Sequence, residues 1–180
     1  TTGTSTANQL LGISASSGVN TVTGNTVRNL SSTSISTGTG TTASVIGISH
    51  TSTTAGNANL SQNIVFSLAN TAATAAVAVT GIHYAGPTAG TSVVARNQVY
   101  GLTLSTTSAT ADIRGINFAS GLASIQNNMI AVGAGVANGN IIHGLYEVVS
   151  SAGSSVYFNS VYIGGSGVGT QTGNSYAFRT

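Results

Sequence analysis

The sequence has very few charged residues. Only 3% of its 180 residues are charged, whereas a typical soluble domain is about one quarter charged. The basic residues are Arg28, Arg96, Arg114 and Arg179, and the acidic residues are Asp112 and Glu147. Four scattered arginines do not make a stripe that could neutralise phosphates, so we expect no nucleic-acid partner.

Cysteine is absent, and proline occurs once, as Pro87. The first absence excludes a disulfide framework and cysteine-ligated metal sites, and we expect no cofactor. The second excludes a proline-rich linker. No apolar run reaches the length of a membrane-spanning helix, so we expect no membrane insertion. The chain opens without methionine or a signal peptide, which is typical of a piece of a longer, processed protein.

Hydrophobic residues make up 41% of the chain and recur at fixed intervals, which argues against disorder. One motif is Asn-x-Val or Asn-x-Ile, 31 to 38 residues apart, at Asn25, Asn63, Asn97, Asn128 and Asn159. A second is a glycine before an apolar residue, 29 to 35 residues apart, at Gly12, Gly47, Gly81, Gly115 and Gly144. Two motifs that keep one period indicate an internal repeat.

Each repeat is rich in β-branched residues and lacks helix signals, which favours short strands separated by turns. The period is too short for a propeller blade. We therefore predict an all-β fold, a parallel β-helix (β-solenoid) of about five coils of about 30–38 residues. Right-handed crossovers dominate parallel sheets, so we expect a right-handed solenoid. Residues 1–180 are expected to form a single β-solenoid repeat domain, a slice of a longer array.

Apolar residues stand three positions before and two positions after each motif asparagine. The first column is Val22, Leu60, Val94, Ile125 and Val156, and the second is Val27, Val65, Val99, Ile130 and Val161. Both columns should point inward, yet their separation of five is odd, so the chain must bend between them. We predict that the asparagines form a corner and a structural amide ladder. The alternative is a ligand-binding face.

Apolar residues stand two positions before and one position after each motif glycine. Their separation of three is again odd, which predicts a second corner at the glycines. Serine- and threonine-rich stretches, at 32–44 and 103–111, absorb most of the differences in coil length. We expect these stretches to be outer strands or loops.

The motifs Gly-Ile, Asn-x-Val, Asn-Leu-Ser-Ser and Asn-Ser-Val-Tyr-Ile-Gly-Gly together resemble a known family of repeats. They are similar to the Thr/Ser/Asn-rich β-strand repeats of very large Bacteroidota surface and secreted proteins. The resemblance covers nearly the whole chain. It implies a right-handed parallel β-helix and an extracellular or cell-surface location, and it brings no catalytic residues with it.

The acidic and histidine residues do not suggest an active site. Asp112 and Glu147 are offset by six repeat positions, too far for a retaining glycosidase pair, so we interpret them as isolated solvated or capping acids. His50, His83 and His143 occupy three different repeat positions, and we interpret them as surface or turn residues. We therefore predict that the chain is not an enzyme.

Two rows of aromatic residues share repeat positions. Phe66, Tyr100 and Tyr162 stand three after the motif asparagine; they are either stacked structural rings or a possible surface aromatic row for sugars or a neighbouring fibre. His50, Tyr84 and Phe118 stand three after the motif glycine, and the pattern leaves their direction open.

The low charge and the repeat favour a structural function. We expect a segment of an extracellular fibre, stalk or cell-surface adhesin, in which coils self-associate along the solenoid axis or continue covalently. The alternatives are an ice-binding or a glycan-binding solenoid, and last a polysaccharide-degrading enzyme. Ice binding would use flat Thr-x-Thr rows, and two coils match, at Thr4/Thr6 and Thr39/Thr41.

Overall fold

The computed structural model describes residues 8–136, 138–148, 153–166, 168 and 174–180. Sixteen strands and one short 3-10 helix (Gly40–Thr42) form within these residues. Among the same residues, the structure has no helix with the length and apolarity needed to cross a membrane.

The strands form three sheets, and every neighbouring pair is parallel. The first sheet contains β1 (Leu10–Ala15), β4 (Val45–His50), β7 (Ala78–Ala85), β10 (Asp112–Ser120), β13 (Ile141–Glu147) and β16 (Ser175–Arg179). The second contains β2 (Thr21–Thr23), β5 (Asn59–Ser61), β8 (Ser92–Ala95), β11 (Ala123–Gln126) and β14 (Ser155–Tyr157). The third contains β3 (Thr26–Ser32), β6 (Ile64–Asn70), β9 (Gln98–Leu104), β12 (Met129–Val132) and β15 (Ser160–Ile163).

The chain visits the three sheets in the same order in every coil. Each strand between the two ends of its sheet pairs with the strand three places earlier and the strand three places later, so equivalent residues of successive coils lie side by side. For example, Val65 pairs with Val27 on one side and with Val99 on the other. The predicted all-β parallel solenoid of about five coils is therefore confirmed.

The two apolar columns beside the asparagines lie in the core. In the three middle coils their members are almost completely buried, as Leu60, Val94 and Val99 show. Val156 and Val161, in the last described coil, are only partly buried against the same core. Burial of each such side chain stabilises the fold by about 1.5–3 kcal/mol, so the stacked columns provide much of the driving force for folding.

The predicted bend lies one residue earlier than the asparagine. The residue before each asparagine has the left-handed backbone, with φ between 54° and 67°: Gly24, Gln62, Arg96, Asn127 and Phe158. The motif asparagines themselves do not have positive φ. The two residues have different roles. The residue before the asparagine adopts the left-handed backbone that makes the bend, and the asparagine side chain forms hydrogen bonds along the solenoid axis.

The predicted corner at the glycines is also corrected. Gly47 and Gly81 lie inside β4 and β7 and lack positive φ, so they are not turn residues. A Cβ atom on Gly81 would overlap the side chain of Val99 and come within 2.6 Å of the Gly115 carbonyl oxygen. Glycine is required here because backbone and core side chains approach closely.

The first sheet is covered on both faces in its middle coils. Val45 and Ile48 join the main core, whereas Ile46 packs with Ala43 and Ala78 in a small separate cluster. Residues 33–44, which include the 3-10 helix, contact β7 from outside. The variable serine- and threonine-rich stretches are thus mainly loops, although each begins within the end of a third-sheet strand, β3 or β9.

Candidate functional site

The motif asparagines form a continuous line of hydrogen bonds parallel to the solenoid axis. Each Oδ1 accepts hydrogen bonds from the backbone N–H and from the side-chain amide of the asparagine one coil earlier, at 2.9 to 3.0 Å; the accepting residues are Asn63, Asn97, Asn128 and Asn159. The three middle members are fully buried. Buried amides with satisfied hydrogen bonds favour one register between coils.

The same amides also bond in the opposite direction along the axis. The Asn97 amide donates to the carbonyl of Leu60 at 2.9 Å, and the Asn128 amide donates to the carbonyl of Val94 at 2.9 Å. Each amide group therefore connects its own coil to the coil before it and the coil after it. Towards the next coil each asparagine presents its backbone N–H and one amide hydrogen, and towards the previous coil it presents its Oδ1 and the other amide hydrogen. The two faces of a coil are therefore unlike and complementary.

The aromatic row lies on the outer face of the third sheet. Phe66 and Tyr100 stack with ring centroids 5.0 Å apart and an interplanar angle of 6°. Register places Arg28 before Phe66 and Ala131 after Tyr100, and Tyr162 pairs with Ala131 on its far side. The row is therefore interrupted by one small residue, and a groove of about 290 Å³ opens there.

A second cluster lies on the outer face of the first sheet, and it holds one of the two acids, two of the four arginines and two of the three histidines of the chain. The Asp112 carboxylate accepts a hydrogen bond from Arg114 Nε at 2.6 Å and lies 3.1 Å from His143 Nδ1. All three side chains are buried. The network continues from Arg114 to Asn117 Oδ1 at 3.1 Å, and from the Asn117 amide to His83 Nδ1 at 2.7 Å.

Aromatic rings and a second arginine complete this cluster. His143 stacks on Tyr146 and Tyr176, with centroids 4.6 and 5.5 Å away. The Arg179 guanidinium lies 5.2 Å from the Tyr146 ring and 5.1 Å from the Tyr176 ring, and its Nη1 is 3.2 Å from His143 Nε2. These cation–π and stacking contacts help to hold the side chains of Arg179 and His143 in place.

The histidines and acids differ from the sequence interpretation. All three histidines are buried in strands of the first sheet, so their assignment to surface or turns is wrong. Both acids are also buried, and they belong to different columns. Asp112 is bonded in the outer cluster, whereas Glu147 continues the row of His50, Tyr84 and Phe118. The rings of Tyr84 and Phe118 pack in the core, and the His50 ring stacks on Tyr84.

Burial changes the protonation of two histidines. The pKa of His83 falls to about 4, chiefly because the imidazole is desolvated and secondarily because the positive charge of Arg114, and that of His50 when it is protonated, oppose protonation. Burial also lowers the pKa of His50. Both rings are therefore neutral at pH 7, and the Asn117 amide donates its hydrogen bond to the unprotonated Nδ1 of His83.

The cluster has the character of a structural network. One carboxylate oxygen of Asp112 contacts Arg114, and the other contacts His143. Within the described ranges, no group of three or more His, Cys, Asp or Glu side chains could hold a metal ion. The repeat itself contained a signal for this cluster, since Arg114 and His143 both stand one residue before a column glycine.

The threonine rows do not form a flat strand surface where the structure describes them. Thr39 and Thr41 flank Gly40 at the 3-10 helix, in the loop between β3 and β4. Thr4 and Thr6 lie outside the described residues. A regular Thr-x-Thr row needs an extended strand so that both side chains share one face, and this stretch has none.

No family model matches the sequence, and no curated protein or solved structure shows significant similarity to it. The parallel solenoid of about five coils is thus established by the structure itself. The link to Bacteroidota surface proteins rests on the resemblance of the motifs.

Proposed function

We propose that this chain is a structural repeat segment of an extracellular fibre, stalk or cell-surface adhesin. Its coils extend along one axis, either by covalent continuation into further coils or by stacking of one copy on another. The asparagine ladder carries this proposal. Because the two faces of every coil are complementary, coils add in one orientation only and the arrangement propagates instead of closing.

The distribution of charge supports the same function. Three of the six charged side chains, Arg114, Arg179 and Asp112, meet in one network, and the net charge of the chain is only +2. Little electrostatic repulsion opposes the stacking of coils, and little screening is needed to allow it. An extracellular setting is proposed from the resemblance of the repeat.

The direct test is assembly of the purified 180-residue chain. Electron microscopy and light scattering, each at low and high ionic strength, should show rods or filaments whose long axis is the solenoid axis. Five coils span about 24 Å at strand spacing, so an assembly longer than this contains several copies. A dilute monomer under both conditions would contradict stacking between copies.

Covalent continuation and location need separate measurements. A tandem duplicate of the chain should form a rod with twice the length of the single chain if coils continue across the junction. Antibodies raised against the segment should label intact cells that express the full gene. Labelling only after lysis would contradict the surface role, whatever the assembly state.

A further inference from the structure

The aromatic row of the third sheet has one vacant position. Equivalent residues in neighbouring coils are about 4.8 Å apart, and Phe66 and Tyr100 stack at nearly this spacing, 5.0 Å. Tyr100 and Tyr162 are two coils apart and are therefore separated by about 9.6 Å. Ala131 lies between them and fills little of this space, which leaves a slot about one ring wide.

The slot is open to solvent and its walls are apolar. Tyr100 and Tyr162 are 40% and 65% exposed, and Met129, at one end of the slot, is 59% exposed. The volume of about 290 Å³ is at the small end of ligand sites, which suits one ring of a ligand. A bulky residue at position 131 would close it, so alanine is the residue that keeps it open.

The rim of the slot is polar but uncharged. Gln98 and Ser160 lie beside Met129 in the neighbouring coils, both side chains are exposed, and within the described part of the chain no hydrogen bond holds either one. The nine residues that line the slot include no charged side chain. The site therefore suits a neutral ring with apolar faces and a hydrogen-bonding edge.

We infer that this slot binds a neutral pyranose ring of a glycan whose hydroxyl groups are all equatorial. Such a ring presents C–H groups on both faces, and these pack against the tyrosine rings on both sides. Its hydroxyl groups point outward from the ring edge, towards the Gln98 amide and the Ser160 hydroxyl. An axial hydroxyl would press a polar group against a ring face without a partner, which binding disfavours.

The test uses the purified chain and two oligosaccharides that differ in one hydroxyl per ring. In cellotetraose every ring hydroxyl except the anomeric one at the reducing end is fixed in an equatorial position, and β-1,4-linked mannotetraose differs from it by an axial 2-hydroxyl on each ring. Titrations followed by ligand-observed NMR should show binding of cellotetraose and at least about fivefold weaker binding of mannotetraose. Tyr100→Ala and Tyr162→Ala should each weaken cellotetraose binding at least about tenfold.

Filling the slot is the decisive variant. Ala131→Phe should abolish cellotetraose binding while the melting temperature stays the same or rises, because the new ring completes the stack. Tyr157→Ala removes an exposed ring on the second sheet, outside the slot, and should leave binding within about twofold. These melting and binding measurements do not depend on whether the chain forms filaments.

The inference is overturned by several results. No binding of either sugar, equal binding of both, or retained binding in Ala131→Phe would each contradict it. Binding of p-cresol without binding of cellotetraose would show that the slot accepts aromatic rings and not sugars.

Discussion

The side-chain oxygen of Asn97 accepts two hydrogen bonds from Asn63, one from the backbone N–H at 3.0 Å and one from the amide at 2.9 Å. Both residues are fully buried. Losing one partner in a buried network leaves the remaining groups unsatisfied, which costs more than the net value of the bond itself. The ladder is therefore a sensitive place to test how coils are joined.

Asn97→Ala should destabilise the fold by about 2–3 kcal/mol, because two donors on Asn63 and the carbonyl of Leu60 lose their partner. Asn63→Ala should cost a similar amount. Urea denaturation measures both losses of stability, provided that the m-value is unchanged. Thr88→Ala, at an exposed position, serves as the control and should stay within about 0.5 kcal/mol of the parent. Parent-like midpoints in both asparagine variants would contradict a stabilising ladder.

Glycine substitutions should separate close packing from backbone strain. Gly81→Ala places a Cβ against Val99 and against the Gly115 carbonyl, so it should cost about 3 kcal/mol or more. Gly24→Ala meets open space, but its φ of 67° penalises a side chain by about 1–2 kcal/mol. Thermal melts of the two variants should keep this order, and a reversed order would disprove the packing argument.

Charge in the core should prevent folding, while charge one residue away should not. Val94→Asp buries an unpaired carboxylate in a fully buried column, so we expect loss of the cooperative thermal transition. Val93→Asp is its matched control, because Val93 is partly exposed and adjacent in the same strand. Circular dichroism of the two variants distinguishes them, and a folded Val94→Asp would contradict the assignment of this column to the core.

Stability should depend on pH through His83. Its folded pKa of about 4 lies below the ordinary value of 6.5, so between these values the unfolded chain binds more protons. The stabilisation that comes from keeping His83 neutral is therefore fully present above pH 6.5. As the pH falls towards 4, the free energy of unfolding decreases on this account by up to about 3 kcal/mol.

Comparison with His83→Gln isolates this contribution, since His50 also has a lowered pKa. The free energy of unfolding, measured from pH 7 to pH 4, should fall less steeply in the variant than in the parent. Identical slopes would show that His83 is not held neutral by its burial.

The repeat in the sequence was enough to predict the sheets and the core, because columns such as Val65 and Val99 recur at one spacing and must share one environment. The left-handed corner could not be located in this way. Its five positions hold glycine, glutamine, arginine, asparagine and phenylalanine, which have no common chemistry. The asparagine beside these positions recurs in every coil, so the corner was predicted at the asparagine.

The outer cluster was missed for a different reason. Arg114, His143 and Asp112 meet only because parallel pairing places β10 beside β13 without a shift. Their burial also depends on neighbours that come from other columns, such as Tyr146 and Arg179. Comparing residues at one repeat position at a time makes each of these residues look like a single departure from its column, although together they form a network.

The connections from the third sheet back to the first differ in length while the strands on either side keep their register. They are longest at residues 33–44 and shorter at 71–77 and 105–111. Loop length has a small entropic cost compared with a buried core. Foreign peptides inserted at the exposed positions 73–74 and 109–110, away from the buried Ala72, Val77, Thr106 and Ala111, should therefore leave the scaffold intact. Peptides grafted into successive coils would be displayed in a straight line about 4.8 Å apart, a dense linear array for presenting repeated epitopes.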